Sequence, residues 1–356
     1  MNASMAPMTK GIIERYADLL PVTAATPRIS LGEGSTPLVE SAHIGPSLGM
    51  KQLFFKYEGL NPSGSFKDRG MVLATARAIE AGARVLVCAS TGNTSASAAG
   101  YAAHCGLRAV VVVPAGGVAA GKLAQAIAYG AKILVIKGSF DEALALVREL
   151  ADRPAVALVN SINPFRIEGQ KTAAFEIVES LGRAPAELFI PVGNAGNITA
   201  YWRGFCESKR RDATALPVMH GAQAAGAAPI VRGKPVARPR TVASAIRIGN
   251  PASWSTALEA RDQSGGTIES VTDAEIMAAH HRLGREEGLL VEPASAAGVA
   301  LLIKRAQQGQ VSSDEPVVCV LTGYGLKDPR AMTRGIKLPA ATLPSSRLLL
   351  DALELD

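Results

Sequence analysis

Lys67 is the residue whose type and setting most invite chemistry. It lies in NPSGSFKDRG (61–70), between an apolar run at 53–55 and a helical pattern over 68–81. Ser65 is the predicted N-cap, which puts Lys67 in the first helical turn. A cation there opposes the helix dipole. An amine that gives up its charge by condensing with a carbonyl escapes that conflict, and the same dipole favours a bound anion. Taken alone, the stretch is equally an ordinary helix start with a surface lysine.

Three loops give the lysine a context. STGNTS (90–95) follows a predicted strand at 84–88 and opens an Ala-rich helix. Its hydroxyls, amide and backbone N–H groups suit an oxyanion or a ring substituent, or simply a capped turn. GNAGN (193–197) follows a strand at 188–192 and opens another helix. Small residues there let backbone N–H groups approach a phosphate, or make a tight turn. TGYGLKD (322–328) follows a strand at 317–321. All of these segments fall at the carboxyl ends of strands, where open α/β sheets bind ligands. Together they offer an amine to capture a carbonyl, a cradle for a phosphate and polar contacts to an aromatic ring.

The elements that must position these loops alternate. Strands are predicted at 84–88, 108–113, 132–136 and 155–159, with helices over 68–81, from the 90–95 loop to about 105, over 122–129 and over 140–150. The rhythm resumes with a helix over 170–181, strands at 188–192 and 217–222, a helix after Ser253, a helix over 273–287, a strand at 288–291, a helix over 294–307 and a strand at 317–321. Such a β-α-β-α order means parallel strands with crossover helices. Residues 223–242, rich in Gly, Ala, Pro and Arg, read as a mobile or surface loop. Residues 1–21 read as an amphipathic helix rather than a signal peptide, and 338–356 as a covering segment.

At 356 residues the chain exceeds the usual size of one hydrophobic core, so two domains are expected. With aromatics at only 4%, Ala, Val, Leu and Ile must build the core, which suits close helix-on-sheet packing. The net charge of +6 is scattered except at 209–211 and 232–240. Neither stretch interleaves aromatics, so both read as solvated surface and no nucleic-acid partner is expected. No apolar run is long enough to span a bilayer. Cys88, Cys105, Cys206 and Cys319 form no C-x-x-C pair, and a reducing, cytoplasmic setting is expected. His280 and His281 are adjacent, so they point to different faces of a helix and no metal site is expected.

The segments resemble the threonine synthases, within the tryptophan-synthase-β-like (fold type II) pyridoxal-phosphate superfamily. The lysine motif and the GNAGN loop mark the superfamily. LGEGSTPL (31–38), KYEGLNP (56–62), NSINPFRIEGQK (160–171), AIRIGNP (245–251) and GLKDP (325–329) carry the resemblance over nearly the whole chain. It implies an α/β fold of two domains with mostly parallel sheets flanked by helices and the cofactor, pyridoxal 5'-phosphate, in the cleft between them. The large domain would comprise 1–55 plus 160–356, and the smaller 56–159. Lys67 would bond covalently to the cofactor aldehyde, and Asn93 would contact the ring's phenolic oxygen. Asn194, Ala195, Gly196, Asn197 and Ile198 would wrap the cofactor phosphate, and Thr322 would face the pyridine nitrogen. Tyr324 stands where many relatives carry His.

The implied reaction turns O-phospho-L-homoserine and water into L-threonine and phosphate. Lys67 would move protons, and Thr94, Asn160, Ser161 and Arg166 would hold the substrate phosphate. A structural ion pair between Arg166 and Glu168 is the competing reading of that arginine. A homodimer is the family expectation. The rival activities are serine/threonine dehydratase and, more distantly, cysteine synthase, which are not expected to carry the Arg166 segment or the GLKDP ending. A sensor without turnover is a further alternative, against which Lys67 and Arg166 both argue. GGVAAGK (116–122) matches a nucleotide-binding P-loop, but Leu123 stands where the metal-ligating hydroxyl belongs, so it reads as a helix start.

Overall fold

The structure, a computed structural model, describes residues 10–115, 120–138, 140–150, 153, 155–212 and 215–332. Among them ten strands occur: β1 Leu38–Glu40, β2 Leu53–Tyr57, β3 Val85–Ala89, β4 Arg108–Pro114, β5 Lys132–Ile136, β6 Val156–Leu158, β7 Glu187–Pro191, β8 Val218–Ala224, β9 Thr267–Val271 and β10 Val317–Leu321. They form a six-stranded sheet of order β1-β2-β10-β7-β8-β9 and a four-stranded sheet of order β5-β4-β3-β6. Every pairing is parallel except β1 with β2.

Parallel sheets need both faces covered, and the strand residues alternate between two apolar layers. In β10, Val317, Cys319 and Leu321 face the helices Asp273–Arg285 and Pro293–Gln307. Val318 and Val320 face the helices Thr172–Leu181, Gly196–Asp212 and Trp254–Ser264. The four-stranded sheet buries Leu86 and Cys88 against the helices Lys67–Glu80 and Asn93–His104. Its other face buries Val87 and Ala89 with Ala143 and Val147 of the Phe140–Leu150 helix.

Several expectations need correcting. A helix that was not expected, Pro164–Gln170, precedes the one expected over 170–181, which runs Thr172–Leu181, and the two join at Lys171. Asn163 caps the first by accepting from the Phe165 N–H, and Pro164 fits its first position. Residues 288–291 are not a strand. Only Val291 bridges to Tyr324, and side chains share the segment's carbonyls with the backbone: Leu290 O accepts from Tyr57 Oη at 2.5 Å and from the Gly325 N–H at 3.0 Å, and His280 Nε2 lies 2.9 Å from Val291 O. β1 and β9 were not expected. Both are edge strands, and β9 (TIESV) mixes polar and apolar residues without the apolar run of a central strand.

Residues 223–242 begin as structure rather than loop. Gln223 and Ala224 complete β8, and the buried Gln223 accepts through Oε1 from the N–H groups of Ile230 and Val231. Of the expected N-terminal helix, residues 1–9 lie outside the described residues. The rest is one turn, Ile12–Arg15, followed by a 3-10 turn, Ala17–Leu19. It buries Ile12, Ile13, Tyr16 and Leu20 in the same layer as Leu86 and Cys88. The segment 338–356 and residues 116–119 of the P-loop-like stretch also lie outside the described residues.

Candidate active site

The lysine loop is held by a buried carboxylate and by a short β ribbon. Asp68 Oδ1 accepts from Ser63 Oγ at 2.6 Å and from Ser97 Oγ at 2.5 Å, while Oδ2 accepts from the Ser63 N–H at 2.6 Å. Ser97 belongs to the helix that begins at Asn93, so the same carboxylate ties the lysine to the STGNTS loop. On the other side, Ser65 bridges antiparallel to Gly323. The Phe66 N–H donates to Thr322 O at 3.0 Å, and the Tyr324 N–H to Gly64 O at 2.9 Å. Ser65 is therefore a ribbon residue, not the expected cap; Phe66 takes that position with helical backbone angles. Lys67 opens the helix, as expected, with its amine 4.4 Å from the Phe66 ring centroid. Burial and then the Arg166 cation push the Lys67 amine down to about 7, against the pull of the Glu292 carboxylate.

Thr322 is buried, and its Oγ1 lies 3.0 Å from Ser295 Oγ, which in turn accepts from the Gly323 N–H at 2.9 Å. Asn93 and Thr94 are buried in the first turn of their helix. Asn93 Nδ2 donates to Glu292 Oε1 at 2.9 Å. Sequence reasoning missed Glu292 and Ser295. The signal was present: one acid in the otherwise apolar stretch LLVEPASAAGVALL (289–302).

The GNAGN loop follows β7 and opens the Gly196–Asp212 helix. Ala195 has φ +66°, the left-handed region that a side chain adopts only when its surroundings demand it. Asn194 pins a neighbouring loop: Oδ1 accepts from the Ala252 N–H at 2.7 Å and its carbonyl from the Ser253 N–H at 3.2 Å. The Ile198 side chain is fully buried in the core, which leaves its backbone as the part able to meet a ligand. Asn197 is buried, and neither of its side-chain polar atoms has a partner. First-turn N–H groups of a helix lack intrahelical acceptors. Such N–H groups favour an anion.

Arg166 reaches the lysine through a helix crossing. The Lys67–Glu80 and Pro164–Gln170 helices meet at Gly70 and Gly169. A Cβ on Gly70 would lie 2.7 Å from Arg166 Nε, and one on Gly169 would lie 2.0 Å from Arg69 O. Only glycines permit that approach. The guanidinium is 1% exposed and donates from Nη1 to Val159 O at 2.8 Å, while Nε and Nη2 have no partner. Burial pushes Arg166 down to about 10, against the Cys88 and Asp68 groups. Glu168 is not its partner: that carboxylate pairs with Lys171 and Arg203.

The other two residues expected around the substrate phosphate differ. The Asn160 amide is committed to β3, accepting from the Ala89 N–H and donating to Ala89 O, both at 2.9 Å. Ser161 is partly exposed and lines a cavity of about 300 Å³ with Asn163, Thr199, Ser253 and Thr256. Among the described residues no group of three or more His, Cys, Asp or Glu could hold a metal.

The family model described as pyridoxal-phosphate dependent enzyme matches residues 29–323. The chain belongs to this family. Its cofactor is pyridoxal 5'-phosphate, which fits the unsatisfied Asn197 and the buried Lys67 amine. The chain is 54% identical to a threonine synthase of Halalkalibacterium halodurans, over 94% of this chain and 95% of that one. It is 50% identical to a threonine synthase of Methanocaldococcus jannaschii, over 91% and 83%. Among solved structures, a threonine deaminase superposes with TM-score 0.68 at 26% identity, covering 81% of this chain and 92% of that one. Maize serine racemase does so with TM-score 0.70 at 22% identity, covering 90% and 91%, and speaks to the fold alone.

Proposed function

We infer that this enzyme is a lyase that makes L-threonine and phosphate from O-phospho-L-homoserine and water. Relatives of that activity match at 54% and 56% identity across 90% or more of the chain. One observation carries the reading at the site: a fully buried arginine with two unpartnered nitrogens stands beside the lysine. A phosphorylated substrate gives such a group its missing acceptors.

Pyridoxal phosphate, when bound, withdraws electrons from the bonds next to the substrate amine. This chain's residues do the rest. Lys67 would hold the cofactor aldehyde, and when free its amine, lowered to about 7, can take protons from substrate Cα and Cβ and return them at Cγ, as phosphate leaves, and at Cα, while water adds its hydroxyl at Cβ and its remaining proton goes to the released phosphate. Asn93 would donate to the phenolic oxygen of the ring. Thr322, tied to Ser295, would offer the ring nitrogen a hydroxyl rather than a carboxylate, a partner that favours its neutral form. Asn194, Ala195, Gly196, Asn197 and Ile198 hold the cofactor phosphate, Ile198 through its backbone. Arg166 binds the substrate phosphate and stabilises it as it leaves Cγ, with Thr94 and Ser161 as hydroxyl donors. Asn160, clasped to β3 through one of its two amide N–H groups, has the other to offer the same phosphate.

The four-stranded sheet and its helices form the smaller domain in this reading. β2 pairs with β10 as far as Tyr57, close to the 55/56 boundary of this reading. The enzyme works as a homodimer in the cytoplasm; no described helix is long and apolar enough to cross a membrane.

The test is a paired assay of wild type and Lys67→Ala with O-phosphohomoserine and, separately, with threonine. Wild type should release phosphate and form threonine, and the folded variant should not. Normal turnover by Lys67→Ala refutes the assignment. Faster ammonia release from threonine than phosphate release from the phosphorylated substrate would make the enzyme a dehydratase.

A further inference from the structure

One buried acid beside the proposed cofactor contacts has no role in that reaction. Glu292 immediately precedes the Pro293–Gln307 helix and is 4% exposed. Its two carboxylate oxygens lie 2.9 and 3.2 Å from Asn93 Nδ2. Its own N–H donates to Gly323 O at 3.0 Å. The loop after β10 is shaped around the carboxylate: a Cβ on Gly323 would lie 2.3 Å from Glu292 Oε1. Asp328 and Lys327 of that loop and Lys67 of the lysine helix are the charged groups that act on it. Burial and Asp328 favour its neutral form, and Asn93, Lys327 and Lys67 its carboxylate.

A side-chain amide has two faces, and half a turn exchanges its N–H groups for its carbonyl. An acceptor fixed at Glu292 selects one of the two. With one Asn93 N–H held there, the second N–H points away from Glu292. We propose that Glu292 is a positioning residue that locks the Asn93 amide so that this second N–H is offered to the phenolic oxygen of the cofactor. The inference rests on the reading of Asn93 given above. It requires an acceptor at position 292, not merely bulk. Glutamine can turn its carbonyl toward Asn93 and should substitute; alanine cannot.

The test uses wild type, Asn93→Ala, Glu292→Ala, Glu292→Gln and the double variant Asn93→Ala/Glu292→Ala, all loaded with pyridoxal phosphate. The readouts are the Kd for the cofactor and the visible absorbance maximum of the bound form. Glu292→Ala should weaken cofactor binding roughly tenfold and move the absorbance in the direction that Asn93→Ala does. Glu292→Gln should stay close to wild type. The double variant should be no weaker than Asn93→Ala alone, because the two residues act as a unit. If Glu292→Ala does not fold, Glu292→Met fills the same space without an acceptor and is read in its place. Additive losses in the double variant, or a Glu292→Gln as weak as Glu292→Ala, overturn the proposal. An Asn93→Ala that changes both readouts beside a silent Glu292→Ala overturns it while sparing the Asn93 reading. An Asn93→Ala that changes neither overturns both.

Discussion

Arg69 and Arg166 are buried to the same extent, each 1% exposed or less, and are used oppositely. Arg69 spends every nitrogen: Nε donates to Glu58 at 2.6 Å, Nη1 to Glu176 and Thr172 at 2.7 and 3.2 Å, and Nη2 to Glu58, Glu176 and Thr36 at 2.8, 2.6 and 3.0 Å. Lys56 joins at 2.7 Å from Glu176, so two cations face two carboxylates. Burial raises the Glu176 carboxyl, but Arg69 and Lys56 override it and hold it well below the usual carboxylate range. Arg166 has one carbonyl. A complete set of partners marks a joint that fastens the lysine helix to β2 and the Thr172–Leu181 helix. The incomplete set leaves Arg166 Nε and Nη2 without partners.

The largest effect that can break this comparison is on stability, and a matched pair of substitutions measures it. Arg69→Met leaves two buried carboxylates with one lysine between them and should cost about 3–5 kcal/mol. Arg166→Met removes a buried cation whose burial outweighs the pull of the Asp68 carboxylate, so in the ligand-free enzyme it should be neutral or stabilising. Urea unfolding of the two variants reads the contrast directly. Equal losses would mean that Arg166 is a structural residue after all. A smaller but more specific effect concerns catalysis. Arg166→Met should lower kcat/KM for O-phosphohomoserine by roughly 10- to 100-fold, the worth of hydrogen bonds to a charged group, while the cofactor's absorbance stays unchanged. Loss of cofactor would place Arg166 at the wrong phosphate.

The joint and the candidate site were not equally legible in the sequence. Lys67, Asn93, Asn197 and Thr322 stand in short contiguous motifs that follow β2, β3, β7 and β10. Local pattern sufficed to put these motifs after strands, because a βα turn is a local object. The Asp68 clamp, Glu292 beside Asn93, and the Gly70/Gly169 crossing join residues distant in the chain, and no spacing announces them. Asn160 shows the same limit from the other side. Its motif pointed to a phosphate ligand, and did not announce that one N–H and one acceptor position of its amide meet the Ala89 backbone. β1 and β9 escaped notice because an edge strand need be apolar on one side only. Residues 288–291 misled in the opposite sense, since a short apolar run does not reveal whether strands or side chains will satisfy its carbonyls.

The subtlest prediction concerns the proton on Lys67, where the two regions meet. The amine is pushed down to about 7 by burial and by the Arg166 cation; Arg69, held by its own carboxylates, does not figure among the causes. A lysine with a lowered folded value takes up its proton on unfolding between about pH 7 and its ordinary 10.5, so stability rises with pH across that window and the burden of the charge is fully present below it. Arg166→Met removes the second of the two causes and should raise the Lys67 value, though not to that of a solvated lysine, because burial remains. Labelling of Lys67 in the cofactor-free protein with an amine reagent, followed by peptide mapping across pH, gives the midpoint. The midpoint should move up in Arg166→Met. If it stays in place, burial alone tunes the amine, and the two cations differ in their hydrogen bonds but not in the field they cast on the site.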